Sequence, residues 1–252
     1  MYDQLEDLLH KLSYDAQRDT IISTGDMSAK GPLGGSLAVL KFMSSNNITA
    51  VRGNHDQRVV EWRAWIEWIA IMPGGRRWLD AINEAFHTFE NSLSAQDRGN
   101  GNVVEEWADV QMAAGGGFWE KIPREFKIFQ DHYWIATKIS QEEYKYLLQL
   151  PLRLYIPHVH TFIVHAGLLA SDPLKDPRAA GQPLASMPVL KRSPVSALSK
   201  HKQEIQEMRR AQDLSVLSDV PQNTDPWVTL NMRSVRHDGE ISRYFSLVTD
   251  IR

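Results

Sequence analysis

Three short apolar runs, each closed by a polar loop, constrain this chain more than any other feature. Ile21-Ile22-Ser23-Thr24 runs into Gly25-Asp26, Thr49-Ala50-Val51 into Arg52-Gly53-Asn54-His55-Asp56, and Thr161-Phe162-Ile163-Val164 into His165-Ala166-Gly167. Runs of that length bounded by glycine and polar residues read as buried strands. Between the first two, the stretch from Ser36 to Phe42 reads as a helix, with Leu37, Leu40 and Met43 on one side. Strand, loop, helix, strand, loop is a βαβ unit and predicts a parallel sheet here. Ligands of open α/β sheets bind at the carboxyl ends of strands, where both loops fall.

Each loop places a metal-capable side chain just past a strand end. Asp offers a hard anionic oxygen able to bridge two cations, Asn a carbonyl oxygen, and His a neutral imidazole nitrogen; such a mixed set suits Mn, Fe, Zn or Mg. The chain has no cysteine, which excludes a disulfide framework, a thiolate site and a cysteine nucleophile. Two cations about 3.5–4 Å apart clamp a phosphoryl group and acidify the water that attacks phosphorus in line. A histidine near its ordinary pKa of about 6.5 can protonate the leaving oxygen. Taken singly, the loops say less. Gly25-Asp26 alone reads as a turn capped by Asp, and a lone histidine after an apolar strand is usually a satisfied core residue. Their order and shared placement point to chemistry.

Gly25-Asp26-Met27-Ser28-Ala29-Lys30-Gly31-Pro32, Gly53-Asn54-His55-Asp56 and His165-Ala166-Gly167-Leu168 resemble successive blocks of the calcineurin-like metallophosphoesterases. The serine/threonine-phosphatase-like branch is the nearest in flavour, with its diadenosine tetraphosphatases and fungal endopolyphosphatases. The resemblance implies two divalent metal ions, with Asp26 bridging both and Asn54 and His165 on the second. It makes His55 the general acid, oriented by Asp56. Arg52, Arg233 and Lys30 become contacts to substrate phosphate; an arginine fork suits that role because it binds phosphate bidentately. The implied partner is a phosphate-bearing substrate: polyphosphate first, then a nucleotide or phosphoprotein. A relic that binds phosphate or a partner without cleaving is the competing reading.

The chain also departs from the pattern. The resemblance implies an Asp-x-His-Gly loop ahead of a helix like Tyr2 to Leu12, and a late His-bearing loop. Both are expected to lie outside this sequence as pieces lost by truncation. His237 is a weak substitute for the late histidine. Ala29 stands where the family carries a carboxylate that helps to orient the catalytic histidine, and this disfavours a phosphoprotein substrate.

The expected fold is α/β: one domain over 1–252, a metallophosphoesterase-type β-sandwich flanked by helices. A Trp-rich helical insertion is expected over 61–150 and a covering loop region over 170–226, with one polar helix near 198–212. Leu5, Leu8, Leu9 and Leu12 predict a first helix. Residues 57–89 read as helical, broken at Pro73-Gly74-Gly75, with Trp62, Trp65 and Trp68 as core. The glycine-bearing stretch 92–117 is expected to include a loop, Ser140 to Glu143 reads as a capping box, and Leu152–Ile156 and Ile241–Val248 read as strands. His158 and His160 read as surface residues, and His10, His87, His132 and His201 need no function. A net charge of −3 gives no basic field for nucleic acid. The most apolar stretch, Trp65 to Met72, is too short to span a membrane and contains Glu67, so a soluble protein is expected.

Overall fold

The computed structural model describes residues 1–28, 31–176, 178–183, 200–236 and 238–244. The fold is mixed α/β, as expected. Among the described residues the strands are short and pair in three two-stranded sheets: β1 (Ile22–Ser23) with β2 (Thr49–Ala50), β3 (Arg153–Ile156) with β4 (Thr161–Val164), and β5 (Ser234–Val235) with β6 (Ile241–Ser242). The chain divides into two compact units. One holds residues 1–22, 26–49 and 55–149, the other 23–25, 50–54 and 150–252.

The first unit is largely helical. α1 (Tyr2–Lys11) packs on α2 (Leu33–Ser45). α3 (Asn54–Ile71) and α4 (Gly75–Ser92) part at the expected break, where Gly74 has φ +79, a conformation glycine adopts without strain. The glycine-bearing stretch after α4 includes the expected loop, over residues 93–100, and then α5 (Gly101–Ala114). Its glycines mark helix ends: Gly99 and Gly115 have positive φ, and the Asn100 side chain caps Asn102 N at 3.1 Å. Val104 and Ala108, four residues apart, give α5 its buried face. α6 (Asp131–Lys138) leads into α7 (Gln141–Gln149) through the predicted capping box. Ser140 N donates to Glu143 Oε2 at 2.7 Å, and Glu143 N donates to Ser140 Oγ at 3.2 Å.

Aromatic rings fill this unit. Trp62 is fully buried and meets Trp65 at 5.2 Å, Phe126 at 4.8 Å and Tyr133 at 5.1 Å between centroids. Trp65 is buried too, and its indole donates to the Lys121 carbonyl at 2.7 Å. Trp68, expected in the core, is 44% exposed. Two steps of three residues carry it about 120° round the helix from Trp62, off the buried face. Tyr133 donates to Asn83 Oδ1 and Tyr146 to the Ile48 carbonyl, each at 2.7 Å. Burial pushes the Tyr146 hydroxyl up to about 12, with the charge of Asp56 adding to it, and burial raises Tyr133 further.

In the second unit β3 and β4 form an antiparallel hairpin with Arg153 opposite Val164 and Ile156 opposite Thr161. α8 (Lys200–Ser218) runs longer than the expected polar helix. From it, Asp213 accepts the Tyr155 hydroxyl at 2.8 Å and bonds Nδ1 of His160 at 3.0 Å, so His160 is a hairpin anchor rather than a bare surface residue. Fully buried Asn223 is matched at both ends of its amide: Oδ1 accepts from Leu169 N, and Nδ2 donates to the Leu169 and Val216 carbonyls. α9 (Pro226–Asn231) starts on the Asp225 cap. The strand expected over 241–248 begins at Ile241, and its remainder from 245 lies outside the described residues. Among the described residues no helix is long and apolar enough to cross a membrane.

Trp62→Ala should cost about 3–5 kcal/mol in urea denaturation, whereas Trp68→Ala should stay within about 1 kcal/mol; equal losses would contradict the packing. Stability should also fall as pH rises from about 10 towards about 12. In that window an unfolded tyrosine, with its pKa of about 10, ionises while folded Tyr146 keeps its proton. The raised folded pKa therefore stabilises below pH 10 and is lost above it. Tyr146→Phe should flatten that decline.

Candidate metal and proton-transfer site

The Asp56 carboxylate, fully buried in the first turn of α3, organises the first set of residues. It accepts from Asp26 N at 2.8 Å, Met27 N at 2.9 Å and Ser28 Oγ at 2.7 Å. A buried carboxylate is costly unless donors surround it, and its place at a helix N-terminus adds a favourable field. The clamp holds Asp26 at φ +58, a left-handed backbone that Asp tolerates better than most residues. Asp26 Oδ1 accepts from His55 N at 3.0 Å, and Oδ2 stands 4.0 Å from His55 Nε2. The other ring nitrogen of His55, Nδ1, lies 2.8 Å from Nε2 of His132 on α6.

This arrangement brings in a residue to which the sequence assigns no role. The family resemblance implies that Asp56 orients His55 and gives His132 no task. The His55 ring meets His132, and the Asp56 oxygens accept from the 26–28 loop. Successive helix residues point about 100° apart, so neighbours in sequence face different partners. Ala29 is the available signal: without a carboxylate there, something else must hold the ring. Nothing in the spacing identifies a residue 77 positions away.

Asn54, His165, Arg52 and Arg233 belong to the second unit. His165 follows directly on β4, and its Nδ1 is 2.9 Å from the Thr24 carbonyl. A carbonyl only accepts, so Nδ1 carries the proton and a neutral ring keeps its lone pair on Nε2. That Nε2 faces Asn54 Oδ1 at 2.9 Å. Two lone pairs at this distance repel unless a proton or cation joins them or the amide is turned to donate. Two ligands held about 2.1 Å from one ion at a right angle stand about 3 Å apart. A ligating histidine ordinarily donates its other N–H to a carbonyl or carboxylate. The pair therefore fits a cation on both counts. Gly25 makes the approach possible: its φ is +96, and a Cβ there would sit 2.6 Å from Gly53 N and 3.1 Å from His165 Nδ1.

Arg52 is half-buried, and its N donates to the Pro151 carbonyl at 2.9 Å. Arg233 donates through N to the Ser242 carbonyl at 2.8 Å and through Nη1 to the Met232 carbonyl at 3.1 Å. The segment just before Arg233 lies on the His165 loop: Ala166 N donates to the Thr229 carbonyl at 2.9 Å, and a Cβ on Gly167 would sit 2.5 Å from Met232 Cε. Lys30 and His237 lie outside the described residues. Among the described residues no group of three His, Cys, Asp or Glu side chains is placed to hold a metal. Two sets are thus assembled, Asp26 with His55, Asp56 and His132, and Asn54 with His165.

Residues 1–182 match the calcineurin-like phosphoesterase family, and the chain belongs to it. Members of that family are generally dinuclear, metal-dependent enzymes. Among curated proteins, symmetrical bis(5'-nucleosyl)-tetraphosphatases from Escherichia coli O139:H28 (strain E24377A / ETEC) and from Shigella boydii serotype 18 are each 46% identical over 57 residues, 22% of this chain. The match spans 20% of the length of those relatives. A solved structure whose description proposes a diadenosine tetraphosphatase is 20% identical, with a TM-score of 0.36, over 68% of this chain and 46% of that one. A likeness that loose says nothing about the site.

Asp56→Ala should destabilise the chain by about 3 kcal/mol or more, because it strands buried donors of the 26–28 loop. Asp56→Asn keeps one acceptor oxygen and should cost less. Chemical denaturation of the two variants checks this, and a wild-type midpoint for Asp56→Ala would refute the clamp.

Proposed function

We propose that this chain hydrolyses phosphoric ester or anhydride bonds with two bound divalent metal ions, which Asn54, His165 and Asp26 would help to hold. The observation that carries the reading is the 2.9 Å approach of Asn54 Oδ1 to His165 Nε2, with the imidazole proton committed to the Thr24 carbonyl. Chain connectivity supports including Asp26 and His55, since Gly25–Asp26 and Asn54–His55 are peptide bonds that join the two sets. When bound, the ions supply Lewis acidity to the phosphoryl group and to water; Mn, Zn, Fe and Mg all suit the oxygen and nitrogen donors.

The side chains divide the remaining work. Water adds to phosphorus as the bond to the leaving oxygen breaks. Nε2–H of protonated His55 passes to that oxygen, so the leaving group departs neutralised and the ring regains its proton from solvent. Asp26 Oδ2 stands 4.0 Å from that nitrogen. Arg52, Arg233 and Lys30 are the candidate phosphate contacts.

On substrate, the tetraphosphatase relatives favour a dinucleoside polyphosphate. Inorganic polyphosphate, suggested by the fungal endopolyphosphatase resemblance, is the alternative. Purified chain supplied with Mn or Zn should hydrolyse p-nitrophenyl phosphate, and diadenosine tetraphosphate faster than long-chain polyphosphate; the reverse order would move the assignment to polyphosphate. His55→Asn should lower turnover about 10²–10⁴-fold. Asn54→Ala and His165→Ala should each reduce metal content measured by elemental analysis. Wild-type chain that takes up no metal and turns over nothing would leave a non-cleaving, phosphate- or partner-binding protein.

A further inference from the structure

We infer that His132 is the positioning residue for His55, holding its ring through a histidine–histidine hydrogen bond so that Nε2 stays aimed at the leaving oxygen. The inference deepens the proposed reaction and rests on His55 being its general acid. Nδ1 of His55 and Nε2 of His132 lie 2.8 Å apart. The ring centroids are 5.0 Å apart and the planes differ by only 19°. With the nitrogens that close, the bond runs nearly along the line joining the centroids. The rings therefore meet edge to edge, as an in-plane N–H···N bond requires, and not face to face.

One contact fixes two properties of the acid. It sets the torsion of the His55 ring, because turning the ring about its stem breaks the bond and takes Nε2 away from Asp26 Oδ2. It also decides which nitrogen gives up a proton. When His55 is protonated on both nitrogens, Nδ1–H can only donate, so Nε2 of His132 must hold a lone pair and His132 stays neutral. Nδ1–H is then engaged, and Nε2–H is the proton available to a leaving oxygen. A carboxylate partner would do the same at the cost of a negative charge beside the acid; a neutral imidazole orients it without that charge.

His132 is placed to do this. It sits in the first turn of α6, where Tyr133 and Ile135 are essentially buried and lock the helix into the aromatic core. Tyr133 is further tied to Asn83 by its hydroxyl. The His132 backbone is thus held by core packing, and its ring reaches His55 from a rigid element.

Two measurements on the full chain test the inference. In wild-type chain labelled with ¹⁵N-histidine, magnetic resonance should show scalar coupling between Nδ1 of His55 and Nε2 of His132 through a shared proton. Its absence overturns the inference, and no variant has to fold for that result. The second measurement is the ratio of turnover on phenyl phosphate to turnover on p-nitrophenyl phosphate with Mn present. A poor leaving group needs the acid and a good one needs it much less, so loss of the acid lowers this ratio. His132→Leu should lower it by about tenfold, in step with His55→Asn. His132→Gln, which keeps an acceptor oxygen, should restore most of it. A residue that merely supported the fold would slow both substrates alike. If His55→Asn lowers the ratio while His132→Leu leaves it unchanged, the inference fails and the general-acid reading stands. If His55→Asn leaves the ratio unchanged, the general-acid reading fails and takes the inference with it.

Discussion

The buried carboxylate of Asp56 is the constraint on which the arrangement of Asp26 and His55 depends. Its oxygens draw two backbone amides and a hydroxyl of the 26–28 loop onto the first turn of α3. That pull holds Asp26 in a left-handed conformation and brings its carboxylate to the amide of His55. Without matched donors a carboxylate so placed would be strongly unfavourable. The loop geometry and the buried charge therefore stabilise each other, and neither conformation is reasonable alone. The same charge reaches Tyr146, which stays protonated far into alkaline conditions.

The second set obeys a different logic. A backbone carbonyl at Thr24 fixes the tautomer of His165, and the resulting lone pair is aimed at the oxygen of Asn54. A proton, a cation or an amide turned to donate relieves the repulsion of two electron-rich atoms at that distance. Gly25 permits the approach, since any larger residue would meet Gly53 and His165. The backbone thus holds both side chains in place and limits their freedom.

Much of the fold is legible in the residues. The Thr161–Val164 strand, the capping box at Ser140–Glu143, the break at Gly74 and the burial of Trp62 and Trp65 all follow from local chemistry: cap geometry, glycine's tolerance of positive φ, and apolar spacing. Where the residues mislead, the causes are physical too. Trp68 reads as core only if a spacing of three is followed one step too far. His160 and His132 look idle because their partners, Asp213 and His55, lie 53 and 77 positions away.

The sequence by itself determined the order of the strand-end loops, the donor atoms they carry and the family to which they belong, because those are local patterns of residue type. Only the tertiary structure decided which nitrogen of His165 keeps its lone pair, that Asp56 faces the 26–28 loop, and that His132 holds His55. Hydrogen-bond direction and tautomer are set by whichever group packing brings within about 3 Å, and distance along the chain carries no record of that.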